Sequence, residues 1–268
     1  MGIGLKEEGF PSVTTLMNKT AIVTGASSGI GYATAKLFAQ EGANVLVTAR
    51  RSNELEALVS EIREAGGAAV AIAGNVKDEA LAETLVRTAV ERFGGLDIAF
   101  NNAGVVGDTG AVSGLSLDGW RDTLEINLTS AFLGAKYQMP AMLDRGGGSL
   151  IFTSTFVGYS AGMPGMAAYA ASKSGLIGLT QVLATEFGAK GVRVNAILPG
   201  GTDTPSNIVN APGSPPEVRT FVEGLHALKR LATPAEIAKA VLFLASDASS
   251  FVTGSAFVAD GGVAITRT

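Results

Sequence analysis

The sequence of 268 residues contains no cysteine and one histidine, His226. Without cysteine there is no disulfide, no thiolate nucleophile and no Cys-ligated zinc. With one histidine there is no multi-histidine metal site, so no metal is expected, and a histidine-based triad would have to use His226. Charge is sparse too: 16% of residues are charged and the net charge is −4. That balance gives no reason to expect nucleic acid or an anionic membrane as partner. No apolar run is long enough to span a bilayer. The opening MGIGLKEEGFPSVTTL places Lys6, Glu7 and Glu8 where a signal peptide needs an apolar stretch. Cytoplasm is the expected location.

What is present is apolar residue in quantity, 47% of the chain, which suits strands buried on both faces and argues against disorder. Short β-rich runs alternate with helical patterns. TAIVT (20–24), NVLVT (44–48), AAVAIA (68–73), LDIAF (96–100), SLIFT (149–153), VRVNAIL (192–198) and SAFVA (255–259) read as strands. Between them the spacing predicts helices up to about residue 41, over 52–66, 78–93, 117–143 and 166–188, and a Pro-initiated one over 234–245. Continuous apolar strands separated by helices imply a parallel sheet covered on both faces. The expected fold class is therefore α/β, a doubly wound parallel sheet (Rossmann fold) in a single domain over 18–268, preceded by an arm at 1–17. Residues 202–230, rich in Pro, Gly, Ser and Asn, read as an excursion that forms a variable substrate lid.

Three local patterns carry chemistry. TGASSGIG (24–31) lies between the first strand and the first helix. There Gly25, Gly29 and Gly31 allow a tight turn and close approach of backbone to phosphate, while the helix N-terminus offers free N–H groups to an anion. At the end of the second strand, where NAD-binding folds often carry an acidic residue, stand Ala49 and then Arg50. A guanidinium pairs with a 2′-phosphate that a carboxylate would repel. Arg50, with Arg51 and Ser27 beside it, thus favours NADP(H), with NAD(H) still possible. Third, YAASK sets Tyr169 and Lys173 at i and i+4, on one helix face. An ammonium near a phenol lowers its pKa and makes it a usable acid or base. Alone, each pattern is also ordinary turn or surface chemistry.

In company they resemble the short-chain dehydrogenase/reductase family. TGASSGIG, NNAG (101–104), Asn127 in EINLTS, a hydroxyl-rich strand end, YAASK, PGGTDT (199–204) and DGG (260–262) follow in that family's order over about residues 18–262. The resemblance implies an NADPH-dependent carbonyl reductase, reversible as an alcohol dehydrogenase, acting on a small carbonyl or alcohol, and a homotetramer. The alternatives are a 3-oxoacyl-acyl-carrier-protein reductase and, of another class, a dinucleotide-sensing module without turnover. By resemblance Tyr169 is the acid/base, Lys173 lowers its pKa and holds the nicotinamide ribose, and Asn127 holds a relay water. Ser27, Ser28 and Ile30 belong to the phosphate turn. Asn102, Ala103 and Gly104 line the adenine and ribose side, and Pro199, Gly200, Thr202 and Thr204 hold the nicotinamide end and pyrophosphate.

Two departures stand out. Asn75-Val76 occupies the adenine position where the family usually has Asp-Val. By the resemblance the catalytic Ser position falls, on an ungapped count, on Thr155, with Ser154 a rival because the spacing from Thr155 to Tyr169 is one residue longer than the family's commonest. In a regular strand Thr153 and Thr155 share one face and Ser154 takes the other. His226 reads as an exposed or packed helix residue, Met139 and Met142 as core, and Met163 and Met166 as either packing or the lining of an apolar pocket.

Overall fold

The structure, a computed structural model, describes residues 14–266. Residues 1–13 of the expected arm lie outside the described residues. The remaining arm residues are not separate from the domain: Leu16 is fully buried, and its N–H donates to the Glu41 carbonyl.

Seven parallel strands form one sheet in the order β3-β2-β1-β4-β5-β6-β7. They are β1 Thr20–Thr24, β2 Asn44–Ala49, β3 Ala68–Ala73, β4 Ile98–Asn101, β5 Gly148–Thr153, β6 Val192–Pro199 and β7 Ala256–Ala259. The sheet is doubly wound, as its unbroken apolar strands demand. On one face it is covered by α1 (Gly29–Gln40), α2 (Ser52–Glu64) and a Pro-initiated helix, Pro234–Ala245. The core there is formed by Phe38, Leu55, Leu58, Ile62 and Val241. On the other face α3 (Glu79–Phe93) and two further helices bury Leu85, Met139, Met142, Phe152 and Leu176. Strand order reverses between β1 and β4, so the crevice beyond their carboxyl ends is where such a sheet receives a ligand.

The helix expected over 117–143 is not one α-helix. It runs as α4 (Leu117–Leu124), a π-turn at Glu125–Thr129, and α5 (Ser130–Asp144). The π-turn coincides with Asn127, whose side chain bonds to the chain leaving β4 rather than facing solvent. Such turns recur at functional sites. Next comes α6, Ala167–Phe187, which carries Tyr169 and Lys173.

The excursion over 202–230 contains a helix, α7 (Pro216–Gly224), which ends before His226, so His226 stands in the turn after the helix rather than within one as expected. The Pro-initiated helix is thus α8. The neck of the excursion is closed by a bridge between Thr202 and Ala232, with Asp203 N–H donating to the Ala232 carbonyl. Arg219 on α7 reaches back to Asn210 at 2.9 Å and to Asp203 at 3.4 Å.

Candidate active site

The first turn is compact because its glycines leave no room for anything else. Gly25 (φ 68°) and Gly29 (φ 59°) adopt left-handed backbone. A Cβ at Gly25 would lie 2.9 Å from Ala103 Cα, and one at Gly31 would lie 2.4 Å from the Gly25 carbonyl oxygen. The turn is thereby pressed against the NNAG segment. Thr24, which the motif reading passed over, joins the two: its hydroxyl oxygen accepts the N–H groups of Asn102 (2.9 Å) and Ala103 (3.0 Å). Asn102 Nδ2 also donates to the Thr24 carbonyl, and Thr153 donates to Asn102 Oδ1.

Ser28 stands at the N-cap of α1 and makes no capping bond from its side chain. The first N–H groups of α1, from Gly29 and Ile30 onward, are left for an anion. The Cβ-free turn and uncapped helix together fit a pyrophosphate. At the rim of this cradle Arg51 donates to Ser27 Oγ at 3.0 Å and pairs with Glu54. Arg50 is exposed and makes no side-chain hydrogen bond or ion pair among the described residues. Of the two arginines, Arg50 is the one with its charge unspent. Beyond β3, Asn75 Oδ1 accepts the Lys77 N–H in an Asx turn, with Val76 half-buried beside it.

The hydroxyl run after β5 fans out where the strand stops. β5 ends at Thr153, so strict alternation does not carry to Thr155. Thr153 points to Asn102 and Ser154 points to α6, where its buried hydroxyl donates to the Lys173 carbonyl at 2.8 Å. Thr155 turns toward Tyr169, so the expectation that it shares a face with Thr153 is corrected. Burial pushes the half-buried Tyr169 phenol above its ordinary value, and the Thr155 hydroxyl beside it pulls the value back down. Thr155 Oγ1 meanwhile accepts the Val157 N–H at 3.3 Å.

Lys173 is buried, with Nζ donating to the Thr153 carbonyl at 2.7 Å and lying 6.0 Å from the Tyr169 ring centre. Burial lowers its pKa to about 8. The net shift of the Tyr169 phenol is upward, driven by burial, rather than the lowering expected from i,i+4 spacing. A Cβ on Gly104 would stand 3.0 Å from Lys173 Nζ and 3.1 Å from Asn127 Oδ1, which leaves an open slot over the ammonium.

Asn127 is fully buried. Its Oδ1 accepts the Val105 N–H, and its Nδ2 donates to the Val105 carbonyl and to Ser172 Oγ. Both amide hydrogens are spent on fixing the chain after β4 to α6.

The pKa of Lys173 predicts a stability signature. Its folded value, about 8, lies below its ordinary 10.5. Between these two pH values the unfolded chain keeps the proton and the folded one does not, so the Lys173 contribution to stability rises with pH. Relative to wild type, Lys173→Met should therefore lose about 3 kcal/mol of stability advantage as pH rises from about 8 to 10.5. Urea unfolding at several pH values reads this. A constant difference between the proteins would contradict it.

After β6, Pro199 and Gly200 run against the turn after β7. A Cβ on Gly200 would meet the Asp260 carbonyl oxygen at 2.5 Å. Buried Thr202 donates to the Gly200 carbonyl, and Thr204 sits within contact of Gly29. Met163 and Met166 are half-buried at the opposite rim. The structure thus places the phosphate turn, the NNAG segment, the hydroxyl run and the PGGTDT segment at the carboxyl ends of β1, β4, β5 and β6, with Arg50 after β2, Asn75 after β3, Asp260 after β7, and Tyr169 and Lys173 supplied by α6.

A family model described as enoyl-(acyl carrier protein) reductase matches residues 25–264, and the chain belongs to the short-chain dehydrogenase/reductase family. It is 39% identical to a cyclohexanol dehydrogenase of Acinetobacter sp., over 91% of this chain and 94% of the relative. It is equally 39% identical to a 2,5-dichloro-2,5-cyclohexadiene-1,4-diol dehydrogenase of Sphingobium indicum, over 93% of this chain and 98% of the relative. Among solved structures, levodione reductase superposes with a TM-score of 0.90 at 32% identity, covering 94% of this chain and all of that one. A chain from Beutenbergia cavernae, described as an NAD(P)-dependent gluconate 5-dehydrogenase with NADP bound at low occupancy, has a TM-score of 0.87 at 34% identity. It covers 95% of this chain and is itself covered throughout. These relatives are oxidoreductases of CH–OH groups. No helix among the described residues is long and apolar enough to cross a membrane.

Proposed function

We propose that this protein interconverts a secondary alcohol on a six-membered ring and the corresponding ketone, with NADP(H) as the preferred cofactor. The carrying observation is the meeting of Thr155, Tyr169 and Lys173 at the end of β5, beside a turn that fits a dinucleotide pyrophosphate. The ring-alcohol class is supported by the relatives, whose names specify a cyclohexanol and a cyclohexadienediol as substrates.

When bound, the nicotinamide accepts or supplies the hydride, and this chain's side chains do the rest. Tyr169 exchanges a proton with the substrate oxygen. With its pKa raised, the phenol is protonated at neutral pH, the form that reduction of a ketone needs. Thr155, with one lone pair taken by Val157, donates its single hydrogen to the same substrate oxygen once it turns from the Tyr169 phenol. Lys173 presents Nζ to the slot beside Gly104 to hold the ribose. Asn127 keeps the chain after β4 in place, so a relay water would have to use groups other than its amide hydrogens. Arg50 faces the 2′-phosphate, while Asn75, Val76, Asn102 and Ala103 border the adenosine. The family resemblance carries the expectation of a homotetramer, and exposed Phe132 on α5, Val182 on α6 and Phe251 offer apolar surface that self-association would cover.

Two single variants, assayed for cyclohexanol oxidation, test the hydroxyl assignment. Thr155→Val should cut kcat/KM by about a hundredfold or more. Ser154→Ala removes one buried hydrogen bond to α6 and should cost about 1 kcal/mol of stability with little change in turnover. The opposite pattern would hand the role to Ser154.

A further inference from the structure

We propose that His226 is a positioning residue that fixes the Pro199–Gly201 segment, and through it the nicotinamide end of the dinucleotide. The inference rests on the functional reading above. His226 is the chain's one histidine and is 2% exposed. Its Nε2 accepts the Gly201 N–H at 2.8 Å, and its Nδ1 lies 2.9 Å from the Val222 carbonyl oxygen. A carbonyl only accepts and an N–H only donates, so both contacts require the neutral ring with its proton on Nδ1.

Gly201 is held at its other end as well, because its carbonyl accepts the Ala232 N–H at 2.9 Å. The ring is also a steric wall. A Cβ at Gly201 would lie 2.8 Å from His226 Cε1, and one at Gly261 would lie 3.4 Å from His226 Cδ2. The imidazole thus sits between the turn after β6 and the turn after β7, and joins both to the base of the excursion that carries α7. A buried backbone N–H finds an acceptor there that no apolar side chain can supply. Because Gly201 directly follows Pro199 and Gly200, slack at this bond is slack where the nicotinamide would be gripped.

The experiment compares binding of NADPH with binding of 2′-phospho-ADP-ribose, which lacks only the nicotinamide, by titration calorimetry. His226→Phe and His226→Met fill the space without an acceptor, whereas the His226→Gln amide both accepts and donates. The expected result is about tenfold weaker NADPH binding in Phe and Met, unchanged binding of the nicotinamide-free fragment, and recovery in Gln. Equal weakening of both ligands would mean general damage to the fold and would overturn the proposal. Unchanged binding of both in a folded Phe or Met variant would overturn it too, as would a Gln variant no better than Met. A wild-type protein that bound neither ligand would instead remove the functional reading, and this inference with it.

Discussion

Tyr169→Phe should lower turnover by about a hundredfold to ten-thousandfold while NADPH binding changes little. In the proposed mechanism the phenol exchanges a proton with substrate, and proton transfer from a positioned side chain is worth about that much. The ring remains, so α6 and the half-buried packing around it persist. The direction of its pKa shift adds a second readout. Burial raises the phenol and the Thr155 hydroxyl opposes that shift. The deprotonated form needed for alcohol oxidation therefore grows as pH rises through the alkaline range, and the protonated form needed for ketone reduction shrinks. Initial rates in both directions across pH should cross in that sense for the wild type. Retained turnover in the Phe variant would remove Tyr169 from the mechanism.

Arg50→Asp should reverse the proposed NADP(H) preference, moving the ratio of kcat/KM for NADP to that for NAD by on the order of a hundredfold or more. Arg50 is exposed at the end of β2 and has no partner among the described residues, so its charge is available to a phosphate. An Asp there exchanges attraction for repulsion at the 2′-phosphate and offers a carboxylate to the ribose hydroxyls of NAD. Arg51→Ala should do less, since that guanidinium is already shared between Ser27 and Glu54. Steady-state kinetics with both cofactors decide it. An unchanged ratio in Arg50→Asp would locate the preference elsewhere.

The sheet and the phosphate turn were legible because their signals are local. Apolar runs mark buried strands, and glycine marks a turn with no room for a Cβ. The break in the long helix was not legible, because a single π-turn at Asn127 barely disturbs helical periodicity. Nor was the role of Thr24, whose hydroxyl ties the end of β1 to Asn102, 78 residues away in sequence. His226 read as an ordinary helix residue because its partner, Gly201, is distant along the chain and contributes only a backbone N–H. The proposed choice of Thr155 over Ser154 rests on where β5 stops and on the buried Ser154 hydroxyl donating to the Lys173 carbonyl. Spacing counts residues, but it does not say which of two adjacent hydroxyls leaves the strand register first.

The central claim is that these residues carry out hydride transfer rather than merely holding a dinucleotide. The most direct test supplies the purified protein with NADP and cyclohexanol deuterated at the carbinol carbon, and then examines the cofactor by mass spectrometry. The account predicts deuterium on the reduced nicotinamide and cyclohexanone as co-product, both greatly reduced in Tyr169→Phe. A protein that binds NADP yet transfers no label from any ring alcohol would contradict it.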